Sequence, residues 1–194
     1  MNTPNKLTLL RVLLVPVFVI FFYWRIPCHY LIATLIFVGA SITDAVDGHL
    51  ARKNHQVTDF GKFLDPLADK VLVITALSCL LQQQKVHIAA FLLIVAREFM
   101  VSGLRLVVAG KGTVVPAGFA GKLKTAFTMI ALITALVYWS FKDDFHSFGL
   151  HLPGAVYTGA EITLQVLFWI AAVLTVWSGT EYLIHYWKEI DPSE

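Results

Sequence analysis

Charge is scarce in this sequence. Only 14% of its 194 residues are Asp, Glu, Lys or Arg, whereas a soluble domain usually carries about a quarter. A soluble fold of this length needs a polar shell, and too little polar material is present to make one. Cysteine is scarcer still. Cys28 and Cys79 stand alone and far apart, which excludes a disulfide scaffold and a CxxC metal or redox motif. The net charge is only +2, so a strongly basic nucleic-acid-binding surface is excluded and no nucleic-acid partner is expected. Internal repeats and low-complexity tracts are absent too.

What is present is apolar. Hydrophobic residues make up 57% of the chain, with 14 Phe and five Trp, and the mean hydropathy is +0.71. A bilayer core takes about 20 apolar residues per helix. Six segments qualify: Leu7–Trp24, Tyr30–Leu50, Phe63–Leu81, Val86–Val108, Lys122–Phe141 and Leu164–Trp187. The first follows Lys6 and Arg11 as a signal peptide would, but no A-x-A site follows it, so it reads as a retained span. The stretch 142–163, with Lys142, Asp143, Asp144, Pro153 and Gly154, reads as a polar loop. With the N-terminus cytoplasmic, 12 of the 15 Lys and Arg fall at inner ends, leaving Arg25, Lys85 and Lys142 outside. That bias orients the chain. The expected architecture is an all-α integral membrane protein with six transmembrane helices, both termini cytoplasmic and a single domain over residues 1–194.

The few acids are concentrated. Five of the eight Asp lie between positions 44 and 69. Asp44 and Asp47 are i,i+3 at the inner end of the second span; Asp65 and Asp69 are i,i+4 at the start of the third. Each pair therefore shares a helix face. Four carboxylates converging without a counter-charge would repel one another and resist ionisation. Divalent cations resolve this, since hard oxygen donors suit Mg²⁺, Mn²⁺ or Ca²⁺. The competing account pairs these carboxylates with Arg52, Lys62 or Lys70, but four at paired spacing in so acid-poor a chain point to function. Gly48 and Gly61 beside them leave room for a ligand against the backbone, or equally for close helix packing.

Asp44-Ala-Val-Asp47-Gly48-His-Leu-Ala51-Arg52, eight further residues, then Gly61-x3-Asp65-x3-Asp69 resembles the full signature of the CDP-alcohol phosphatidyltransferase family. All eight fixed positions are present at the right spacing. The resemblance implies a six-span fold, and two divalent ions, Mg²⁺ or Mn²⁺, held by Asp44, Asp47, Asp65 and Asp69. It implies that Asp69 also deprotonates the acceptor hydroxyl. Gly48, Gly61 and Ala51 would make room for the nucleotide of a CDP-linked lipid, and Arg52 would contact its phosphates. It further implies a homodimer.

The acceptor is read from other charges. Arg97 and Glu98 lie in mid-span on the fourth helix, and Arg105 lies about 80° round from Arg97. Adjacent Arg97 and Glu98 pair poorly on a helix; Glu98 aligns better with Arg105. Lys122 and Lys124 open the fifth helix from the same side, where they could also be plain positive-inside anchors. Two Arg and a Lys beside a metal site suggest a pocket for a phosphate dianion, which arginine recognises well. The stretches Ala96-Arg97-Glu98…Ser102-Gly103-Leu104-Arg105 and Gly121-Lys122-Leu123-Lys124-Thr125, with the opening Pro4-Asn5-Lys6-Leu7-Thr8…Arg11, resemble the bacterial branch of the family that accepts glycerol 3-phosphate. On that resemblance the substrates are CDP-diacylglycerol and glycerol 3-phosphate, among membrane lipids. Asn5, Thr8 and Arg11 lie near the nucleotide or serve as an interfacial cap and anchor. The resemblance further implies an enzyme in a bacterial cytoplasmic membrane, with its site facing the cytoplasm. Two alternatives stay open: another acceptor, such as inositol phosphate, serine or phosphatidylglycerol, and a cation transporter built on the same carboxylates.

Overall fold

The computed structural model describes residues 3–53, 59–110, 116, 118–144, 149 and 153–187. Six helices account for most of them: α1 Thr3–Tyr23, α2 His29–Lys53, α3 Asp59–Gln82, α4 Ile88–Gly110, α5 Phe119–Trp139 and α6 Gly154–Tyr186. A π-helical turn, Ser140–Asp144, prolongs α5. No strand occurs among the described residues. The helices pack α1 on α2 and α3, α5 on α2 and α6, and α4 on α6.

Alanines let the backbones approach. Ala33 and Ala40 on α2, Ala76 on α3, Ala131 and Ala135 on α5 and Ala171 on α6 are all buried, and small residues at helix crossings favour close van der Waals packing. Large side chains fill what remains. Phe18, Phe22 and Phe37 have no more than 1% of their surface exposed, and the Phe18 ring lies 5.7 Å from Phe22 and 6.0 Å from Phe37. The exterior is apolar as well: Leu13, Leu35, Leu67, Leu106, Ile130 and Val173, one from each helix, are exposed. Such a surface would be an aggregation hazard in water and suits lipid. The all-helical bundle is thus consistent with a membrane protein.

Two of the six expected spans meet a strict length-and-composition test among the described residues: Phe119–Asp144 and Gly154–Tyr186. The apolar parts of α1, α2 and α3 are shorter, and α4 is interrupted by Arg97, Glu98 and Arg105. The expected loop 142–163 needs correction, because α6 begins at Gly154 rather than Leu164. Pro153 caps it, with no N–H to lose at the start of a helix, and Tyr138 and Lys142 anchor the new first turns. The Tyr138 hydroxyl lies within hydrogen-bond distance of the Tyr157 carbonyl and of Glu161, and Lys142 bonds Glu161.

The α3–α4 turn shows why the chain reverses there. The N–H of Gln84 donates to Leu81 O and that of Lys85 to Leu80 O, both at 2.8 Å. This is a Schellman ending with Gln84 in the left-handed region at φ 57, where glycine would be the usual occupant.

Candidate functional site

Helix α2 runs unbroken to Lys53 and α3 unbroken from Asp59. Asp44 and Asp47 are therefore one turn apart near the end of α2, with Gly48, Ala51 and Arg52 following. Gly61, Asp65 and Asp69 occupy successive turns near the start of α3. The side chains of these eight residues, and that of Asn5 on α1, lie outside what the structure describes. No group of three His, Cys, Asp or Glu gathers as a metal site among the described residues. Four hard oxygen donors at these helical intervals fit a divalent ion by donor chemistry.

Beside this segment lies a cavity of about 750 Å³ between α3, α4 and α5. Its α3 wall consists of Lys70, Val73 and Ile74, starting at the residue after Asp69. The α4 wall brings Arg97, Glu98 and Arg105, and the α5 wall brings Lys122 and Lys124. The four basic residues expected at the acceptor phosphate thus meet in one cavity, with Lys70 added to them. Thr8 and Arg11 do not line it. They are buried in α1, Arg11 completely, which excludes a purely interfacial anchor.

Glu98 pairs differently from its expected alignment with Arg105. Its carboxylate bonds Lys124 from α5 and stands 3.9 Å from Arg97. The partner is chosen by a neighbouring helix rather than by spacing along α4. Lys124 is buried, so the ion pair neutralises a charge that would otherwise be costly there. Lys122 is exposed at the cavity mouth.

The arginines are held from behind by α6. Arg97 Nη2 donates to Ser178 Oγ at 2.5 Å, and Arg105 Nη2 donates to the Tyr182 hydroxyl at 2.8 Å. Both guanidinium groups also lie over the Tyr182 ring, at 5.6 and 5.2 Å, within cation–π range. Gly179 fits between these anchors because a Cβ there would stand 3.1 Å from Arg97 Cγ and Met100 Cε. The Nε atoms of Arg97 and Arg105 are buried and have no hydrogen-bond partner. Buried donors left this way are costly, and both arginines line the cavity. Ser178 and Tyr182 were missed in the sequence because α6 reads as an apolar run. The signal was there: Thr175, Ser178, Gly179 and Tyr182 recur at helical spacing, and all four are buried.

An all-helical bundle with a cation-lined cavity next to a DxxDG…GxxxDxxxD segment defines a class. The family model for CDP-alcohol phosphatidyltransferase matches residues 1–177, and the chain belongs to that family; it is an enzyme, a transferase. Among its relatives, the CDP-diacylglycerol–glycerol-3-phosphate 3-phosphatidyltransferase of Bacillus subtilis (strain 168) is 41% identical, covering 99% of this chain and 98% of its own length. The proteins of the same name from Rickettsia bellii (strain RML369-C) and Escherichia coli (strain K12) are each 40% identical. Their alignments cover 93% and 94% of this chain, and 93% of each relative.

Proposed function

We propose that the chain, as one domain over residues 1–194, transfers the phosphatidyl group of CDP-diacylglycerol to glycerol 3-phosphate, giving phosphatidylglycerophosphate and CMP. The observation that carries this reading is the cavity in which Arg97, Arg105, Lys122 and Lys124 meet, whose α3 wall begins at Lys70, the residue after Asp69. The relatives' names supply both substrates. Arg97 and Arg105 take the acceptor's phosphate through their guanidinium groups, a charge-assisted interaction. Lys122 at the mouth draws the dianion in, and Lys124 sets the potential from below while bound to Glu98.

Asp44, Asp47, Asp65 and Asp69 would hold two divalent ions, Mg²⁺ or Mn²⁺. When bound, such ions neutralise pyrophosphate oxygens and align the leaving group. Asp69 accepts the proton of the acceptor hydroxyl as that oxygen forms its bond to the phosphatidyl phosphorus. The phosphoanhydride bond to CMP breaks, and CMP leaves. Gly48, Ala51 and Gly61 admit the cytidine nucleotide against the helix backbones. Arg52, with Asn5, Thr8 and Arg11 on α1, binds the CDP-lipid phosphates. Burial of Thr8 and Arg11 supports a role inside the protein. Six spans place both termini in the cytoplasm of a bacterium, with the site at the cytoplasmic face of the inner membrane and a homodimer as the assembly.

The purified protein with Mg²⁺ or Mn²⁺ should release CMP from CDP-diacylglycerol only when glycerol 3-phosphate is supplied; serine, inositol phosphate and phosphatidylglycerol should not replace it. Chelation should stop turnover and added metal restore it. Asp69→Asn should lower kcat by about 10³-fold with an unchanged melting temperature. Near-normal turnover in that variant would remove the assigned base.

A further inference from the structure

The Tyr182 hydroxyl is saturated. A phenol offers one donor and two acceptor positions, and here all three are used. It accepts from Arg105 Nη2 at 2.8 Å and from the backbone N–H of Gly118 at 2.8 Å, and it donates to the Pro116 carbonyl at 2.9 Å. The direction of each bond is fixed, because guanidinium and amide nitrogens only donate and a carbonyl only accepts. Tyr182 is itself buried, with 5% of its surface exposed.

These three bonds reach separate elements, and of the three partners Arg105 lines the cavity. Arg105 belongs to α4. Gly118 is the N-cap of α5 and has no side-chain cap of its own; Lys122, bonded back to Gly118 O at 3.2 Å, and Lys124 follow within the first two turns. Pro116 belongs to the connection between those helices. One hydroxyl on α6 therefore fixes an arginine, the start of the lysine-bearing helix and Pro116 between them. One turn earlier, Ser178 does for Arg97 what Tyr182 does for Arg105.

We propose that Tyr182 is a positioning residue that sets affinity for the phosphorylated acceptor, by holding Arg105 and the start of α5 at the separation a phosphate requires. This rests on the acceptor reading given above. Arg105 is a long side chain with several staggered conformers, and without the hydroxyl its guanidinium loses the bond that selects one of them. The CDP-lipid half, assigned to α1, α2 and α3, receives no bond from Tyr182 among the described residues.

The test is steady-state kinetics of the full-length enzyme in mixed micelles, titrating each substrate separately. Tyr182→Phe keeps the ring and removes the hydroxyl. Its KM for glycerol 3-phosphate should rise about tenfold, the scale of one charge-assisted hydrogen bond, with the KM for CDP-diacylglycerol unchanged. Ser178→Ala, a smaller change on the same row, should raise the same KM about threefold. Arg105→Ala is measured alongside. If Arg105→Ala raises the acceptor KM and neither Tyr182→Phe nor Ser178→Ala does, the acceptor reading stands and the positioning role is overturned. If both KM values rise together in Tyr182→Phe, the residue is only structural and the proposal fails. If Arg105→Ala leaves the acceptor KM unchanged, the acceptor reading itself falls, and this inference with it.

Discussion

The two ends of the bundle handle charge in opposite ways. At the end formed by the α1–α2, α3–α4 and α5–α6 connections, cations meet anions or rings. Lys85 stands 3.7 Å from Asp143, donates to the Tyr30 hydroxyl at 2.8 Å and lies over the Trp139 ring at 3.7 Å. Lys142 bonds Glu161, and Asp144 accepts the Leu31 N–H at 2.8 Å with His29 at 3.9 Å. At the other end five basic residues line one cavity with Glu98 as the acidic residue among its lining. Balanced charge closes a structure, whereas a cation-rich cavity lining, its arginines held by α6, suits an anion. The first end reads as a fastening and the second as a site.

That contrast can be broken by experiment. Arg97→Ala should lower kcat/KM for glycerol 3-phosphate about 100-fold, from the loss of charged hydrogen bonds, while the melting temperature in detergent stays within a degree or two. Asp144→Ala should do the reverse. It strips a buried acceptor from the first turn of α2, so the melting temperature should fall by about 5 °C with both KM values unchanged. An activity loss in Asp144→Ala without destabilisation would erase the distinction between the ends.

The smallest effect comes from Lys85, in the turn between α3 and α4. Burial pushes its ammonium down to about 8 from the ordinary 10.5, with Asp143 opposing the shift. Between those values the unfolded chain holds a proton that the folded one has released, so stability should rise with pH across that window. Below it, both states are protonated and the slope vanishes. Lys85→Met should flatten the rise, read as the difference in melting temperature between pH 8 and pH 10.

Much of this was legible in the sequence, for identifiable reasons. The helices follow from apolar runs whose length matches their period. The paired aspartates fall on unbroken helices, and Arg97 and Arg105 line one cavity, as their angular spacing allowed. The misses are tertiary. Glu98 took Lys124 because α5 lies across from α4, a neighbour that no spacing along one helix reveals. The early start of α6 escaped because Gly154, Thr158 and Gly159 look like loop residues, and the bonds of Tyr138 and Lys142 that order them come from α5 and its π-helical end. Ser178 and Tyr182 hid in a long apolar stretch, since a hydroxyl row is faint against Leu, Val and Trp.

Helix α6 spans 33 residues, about 50 Å at 1.5 Å per residue, against a hydrocarbon core of about 30 Å. Even a steep tilt leaves the helix overreaching the oil. At least one of its ends must therefore leave the tails for headgroup depth, and with the site at the membrane face, as proposed above, the Tyr182 end is the one that does so. A water-borne acceptor can then reach the arginines from above while a lipid-anchored donor stays in its leaflet. On the function proposed above, the reaction would take place at the phase boundary, and neither substrate would have to cross it.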